Sequence, residues 1–191
     1  MFSFQYTKQF NMMKNFYLSA AFLLVFALGA KAQTSQTGTT NVHVQMNDVM
    51  SITVNHADVY LRFLQAADYV DGVTSPQSAH LTVTSNKAYN LNVSAAGNLA
   101  GGVVGNTDFL SPGVIAVSLP LDGNNTSLGG TRTAVAELAT TNGALVSAAT
   151  AAAGKSIDVL YAVPSTVSRT NKILGKVADT YTTVVTYTLT Q

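Results

Sequence analysis

Few side chains in this 191-residue chain can do chemistry: three histidines (His43, His56 and His80), a single glutamate (Glu137) and no cysteine. His56-Ala-Asp58 places two potential ligands on one face of an extended strand, because alternate strand residues share a face. No third ligand follows at a recognisable spacing, and a metal site needs at least three. The histidines therefore read as exposed strand residues, and no metal is expected. Asp68, Asp71 and the Asp122-Gly-Asn-Asn125 turn carry oxygens of the kind that bind Ca²⁺, without the loop spacing or closing Glu of an EF-hand. Turn stabilisation is their expected role. With one Glu and no serine in a nucleophile-elbow context, the chain is expected to be neither an enzyme nor a cofactor binder. A glycosidase-like pair of aspartates is the catalytic arrangement that sequence spacing leaves open.

Ala149-Thr-Ala-Ala-Ala-Gly-Lys-Ser156 matches a loosened P-loop pattern with Ala at the first Gly. Phosphate cradling needs a helix N-terminus after the loop, and a strand is predicted there instead. Gly97, Gly101, Gly102 and Gly105 lack the acidic partner of a dinucleotide fingerprint and read as turn residues. Asn92-Val-Ser94 and Asn124-Asn-Thr126 fit the glycosylation sequon. Tyr60, Tyr69, Tyr89, Phe109, Tyr161, Tyr181 and Tyr187 are expected mainly in the core or on sheet faces, with a sugar-stacking platform as the functional alternative.

The elements that must carry these residues begin after a leader. Lys14-Asn15 precedes the apolar run Phe16–Leu28 and a small-x-small site at Ala30 and Ala32, the pattern of a secretory signal peptide over residues 1–32, starting at Met1 or Met13. Of 191 residues, cleavage after Ala32 leaves 159, enough for one domain with a core. Seven basic and nine acidic residues remain, which argues against a nucleic-acid partner. No membrane span is expected after cleavage. With no cysteine, core packing and strand pairing must hold an exported domain without disulfides.

Residues 33–47 read as an N-terminal extension and 48–191 as the folded domain. In the extension Val42, Val44 and Met46 alternate with His43 and Gln45, and Met50, Ile52 and Val54 continue the pattern, giving two strands in series or one bent strand. A third strand is predicted at Val59–Leu64, before a turn-rich Asp68–Gln77. Leu81–Thr84 and Tyr89–Ser94 read as a hairpin around Ser85–Ala88. Ala95–Asn106 reads as a Gly-rich loop, Gly113–Leu119 and Thr133–Leu138 as strands, and Ala144–Ala153 as a helix or crossover loop. Ser156–Val163 is a strand stopped by Pro164. The final strand, Thr180–Gln191, sets Thr183, Val185, Tyr187 and Leu189 on one face. Short strands between turn signals, without a βαβ repeat, predict an all-β sandwich.

Three stretches also carry a resemblance: the alternating segment Thr39–Met46, the Leu81–Val93 segment and the C-terminal Ala178–Leu189. Together they resemble subunits of chaperone–usher-type pili, in particular the archaic, spore-coat-U-like branch. Asp179 stands where that family usually has Gly, and the disulfide common in it has no cysteines here. The resemblance implies an immunoglobulin-like, Greek-key sandwich lacking one strand, completed by a neighbour's N-terminal extension through β-strand addition. Residues 36–46 would be the donor, with Val42, Val44 and Met46 entering the acceptor, and Val185, Tyr187 and Leu189 would lie beneath them. Such contacts are head-to-tail and propagate as an extracellular filament of identical copies, handled by a periplasmic chaperone and an outer-membrane usher. Residues 42–46 pairing within their own chain is the alternative for that segment. A monomeric cell-surface carbohydrate-binding or adhesive sandwich is the alternative function, and a periplasmic structural domain without polymer is a third.

Overall fold

The same alternation runs down most strands, and it sorts them into two large sheets around a common core. The computed structural model describes residues 35–191, so the expected leader lies outside the described residues. The chain divides into two units, Met1–Gln45 and Met46–Gln191. Residues 35–45 of the first are exposed and have no regular secondary structure.

In the second unit one antiparallel sheet has the order β1 (Met50–Val54), β2 (Gly72–Ser85), β9 (Ala152–Pro164) and β6 (Ala116–Ser118). The other has the order β11 (Val185–Thr190), β3 (Tyr89–Ala95), β8 (Gly143–Ala149) and β7 (Thr131–Arg132). A small third sheet joins β10 (Tyr181–Thr182), β4 (Leu99–Gly101) and β5 (Phe109–Leu110). Two short helices, α1 (Ala66–Asp71) and α2 (Ser165–Ser168), flank the start of β2 and the end of β9. The fold is all-β and antiparallel. Leu81, Val83, Val117, Ile157 and Val159 of the first sheet share one core cluster with Tyr89, Leu91, Val93, Val146 and Leu189 of the second. Burying each such aliphatic side chain contributes roughly 1.5–3 kcal/mol.

The expected Leu81–Ser94 hairpin is instead an arch. Both strands form where the alternation puts them, but β2 and β3 lie in different sheets. The reason is that Leu81 and Val83 meet Tyr89, Leu91 and Val93 across the core, and each strand gives its ladder edge to another partner, β1 or β11. Three other expectations are corrected. Val59–Leu64 belongs to no ladder, although Val59, Leu61 and Phe63 are half-buried at alternate positions. The segment 68–77 is only in part a turn, because β2 starts at Gly72, paired with Pro164. The Ala-rich segment is β8 and the start of β9, since burial of Leu145, Val146 and Ala149 outweighs the helix preference of alanine.

The segment following β7 closes one flank of the sheet pair. Thr133 N donates to Leu145 O of the second sheet, whereas Val135 and Val117 exchange bonds at 2.9 and 2.8 Å and Leu138 N reaches Ile115 O at 2.8 Å. It thus crosses between sheets, as strands do at sandwich corners, with a single bridge at Val135 in place of the expected strand. The opposite flank is bounded by β1 and β11, each an outermost strand.

Candidate functional site

The open flank has two backbone edges whose chemistry follows from register. Asn55 N donates to His80 O at 2.8 Å and Asn86 N to Val49 O at 3.2 Å, so the odd-numbered residues of β1 bond to β2. By the alternation of an antiparallel ladder, Met50, Ile52 and Val54 turn their N–H and C=O groups to the free side. On β11, Ala96 N donates to Val184 O at 2.8 Å, so the same argument turns the main chain of Val185, Tyr187 and Leu189 outward. Two edges of three residues therefore border one flank, and β1 and β11 touch along part of it.

Side chains line the floor between them. Tyr187 and Leu189 are buried at 9% and 8% exposure, and Val185 and Ile52 pack half-buried against the same core. These three β11 residues are the ones expected to lie beneath a donor strand. The expected donor side chains are elsewhere in character: Val42, Val44 and Met46 are 80%, 81% and 78% exposed and belong to no strand.

Beneath the floor runs a buried polar chain that periodicity did not reveal. His80 Nε2 lies 3.0 Å from the Tyr161 hydroxyl, which lies 2.5 Å from the Tyr187 hydroxyl. The His80 ring meets both tyrosine rings edge-on, and the exposed His56 stacks against it at 5.6 Å. His80 is 2% exposed, which corrects its expected place on a strand surface. The cause is a bulge. β2 shifts register between Gln77 and Leu81, with Ala79 at φ 48°, so that His80 and Leu81 are consecutively buried. Strict alternation assigns one of such a pair to solvent. Burial, aided by the nearby His56, lowers the His80 pKa. Burial also raises the pKa of both Tyr161 and Tyr187, so the whole chain is uncharged at neutral pH.

Asp158 holds the bulge. Its carboxylate accepts from Ala79 N at 2.6 Å, from Asn124 N at 2.8 Å and from Asn124 Nδ2 at 2.7 Å. Asn125, fully buried, exchanges bonds with the Asp158 main chain at 2.8 and 3.0 Å. The Asp122–Asn125 turn is thereby stapled to β9. Asp68 accepts from Leu64 N and Gln65 N and caps α1.

The remaining candidates are dispersed. His56 lies past the end of β1, outside any strand, which corrects the His56/Asp58 placement. Among the described residues no three metal-ligating side chains converge. The loosened P-loop segment joins β8 to β9, so a strand and not a helix follows it. Tyr89 is 1% exposed and belongs to the core; Tyr60 is 56% exposed beneath the Arg62 guanidinium, and Tyr69 packs on Phe63. Comparison with family models gives no match, and comparison with curated proteins gives none either. Among the described residues no helix is long and apolar enough to cross a membrane.

Proposed function

We propose that this chain is the structural subunit of an extracellular pilus-like filament, an incomplete immunoglobulin-like sandwich that polymerises by donating residues 36–46 to the next copy. The observation that carries this reading is the open flank. Both bordering strands turn the main chain of alternate residues toward it, Met50, Ile52 and Val54 on one side and Val185, Tyr187 and Leu189 on the other. A strand that parts the two edges where they touch and lies between them gains main-chain bonds and floor contacts at once, which is the logic of β-strand addition. Val42, Val44 and Met46 suit that role, because they are apolar, alternate and are without strand partners of their own. An exposed apolar strand edge left unfilled is a hazard that proteins cover or charge, and among the described residues no charged side chain lies on β1 or β11.

The test is electron microscopy of material sheared from expressing cells, with an unboiled denaturing gel beside it. Thin filaments and a multimer ladder that collapses on boiling are expected. Val44→Asp, at an exposed position, should leave monomer stability within about 0.5 kcal/mol of the parent while abolishing ladder and filaments. Filaments that persist in this variant would remove the segment from its donor role. A single monomer band from the unaltered chain would sink the filament reading altogether.

A further inference from the structure

The two ends of the domain differ in a way that the open flank makes consequential. Met50 of β1 pairs with Ser85, and the Gln191 amide donates to Ser85 Oγ at 3.1 Å, so β1 starts and β11 finishes at the 86–88 turn. The two edges run in opposite directions, and a strand between them is antiparallel to one and parallel to the other. The chain also enters the domain at this end. Asn47 O accepts from Asn86 Nδ2 at 3.0 Å, Val49 N donates to Asn86 Oδ1 at 3.0 Å, and Lys87 pairs with Asp48 at 2.5 Å. Residue 47 is therefore already fixed to its own domain.

At the opposite end, beyond a break at Thr183-Val184, β10 edges the small third sheet, pairing Tyr181 with Gly101 and Thr182 with Ala100. Four apolar side chains stand out here: Val103, Val104, Phe109 and Val177, between 53% and 100% exposed. Their backbones are tied down. Val103 N donates to Asp179 at 2.9 Å, Val177 N to Asp108 at 3.0 Å, and the Tyr181 hydroxyl to Val177 O at 2.8 Å. Lys176 lies 5.6 Å from the centre of the Phe109 ring.

We infer that this apolar end is the seat on which the anchored end of the next copy, residues 47–49 with the 86–88 turn, docks in the filament; the inference rests on the strand-donation reading above. Head-to-tail growth requires unlike ends to meet. A donor lying parallel to β11 would bring like ends together, a contact that closes after two copies. The donor is therefore antiparallel to β11, and its last residue, Met46, comes to the β10 end. Length allows it: eleven extended donor residues span about 36 Å at roughly 3.3 Å per residue, enough to pass the 5-residue β1 and the length of β11 and reach β10. Because Asn47 is bound to its own domain, no spacer separates the filled groove from the donor's body. The two bodies touch at the groove mouth, where Val103, Val104, Phe109 and Val177 meet the donor's half-exposed Val49.

The absence of native cysteine makes a thiol test clean, since introduced thiols have only each other to pair with. A disulfide needs Cα atoms within about 7 Å. Full-length chains carrying Lys87→Cys with Val104→Cys, or Lys87→Cys with Val177→Cys, would be assembled, oxidised, boiled and run without reductant. At least one pair should give a ladder that survives boiling and collapses with reductant. Lys87→Cys with Leu121→Cys, an exposed position on the β6 flank, should give none. If both test pairs stay monomeric after boiling while the unboiled ladder forms, the docking inference fails and strand donation stands. An equal ladder from the Leu121 pair also overturns it. If no unboiled ladder forms from the unaltered chain, the underlying reading falls, and the docking inference with it.

Discussion

Asp158→Asn tests whether the bulge that buries His80 is held by a charged clamp. The native carboxylate takes three hydrogen bonds, two of them from main-chain N–H groups of Ala79 and Asn124. An amide of the same shape keeps one acceptor oxygen and turns an NH₂ toward a donor. At least one bond is lost, a donor faces a donor, and charge assistance disappears; about 2 kcal/mol of stability should go with them. The pH dependence separates charge from shape. Burial by itself raises the Asp158 pKa, and the hydrogen bonds from Ala79 and Asn124 outweigh it, leaving the carboxyl below its ordinary 3.8. A depressed folded-state pKa gives stability that is fully present above the unfolded value and is lost as pH falls through the folded one. Urea unfolding of the parent and Asp158→Asn chains should differ by about 2 kcal/mol at pH 7, and the gap should narrow below pH ~4. Equal midpoints at pH 7, or an undiminished gap near pH 2, would refute the clamp.

Tyr187→Phe removes one hydroxyl from the buried chain yet leaves Tyr161 bonded to His80, so it should cost about 1 kcal/mol in chemical unfolding and preserve the fold. Gly130 and Gly154 both adopt positive φ, at 68° and 64°, in very different surroundings. A methyl on Gly130 would press on the main chain of β8 at Ser147, Ala148 C and Ala149 N, the last two at 2.7 Å, whereas one on Gly154 meets open space. Gly154→Ala should therefore cost about 1 kcal/mol of backbone strain, and Gly130→Ala clearly more, as read from paired thermal melts.

Alternation located the strands well because it depends only on each residue's facing. β2 past His80, β3 and β11 all bury the side chains that their spacing assigns inward, including Leu81, Leu91 and Leu189. Which strands pair is a different matter, and the spacing is silent on it: the same pattern around Ser85–Ala88 fits a hairpin or an arch. Pro76 made the first half of β2 look like a turn, but Pro removes only a donor. It is tolerated because β1 pairs with β2 only from Leu81 onward, so no β1 ladder bond is needed at Pro76. His80 was hidden by a bulge in which β2 carries two more residues than β9 between Gln77 and Leu81, and Asp158 by a contact across 79 residues of chain with Ala79. β11 was legible as a strand from its alternation, and its place at the candidate site came only from the resemblance of the C-terminal stretch; β1 as the opposite wall was not legible, because that depends on strand order.

The crossing segment from Thr131 to Leu138 acts as the spine of a book whose covers are the two large sheets. Hydrogen bonds to both covers pin that side, so thermal breathing should be concentrated along the unbound fore-edge. In amide hydrogen exchange, outward N–H groups of Met50, Ile52, Val185 and Tyr187 should trade their protons first, well before Val117 and Val135 at the spine. A molecule built this way opens where a strand can enter and stays shut where none can.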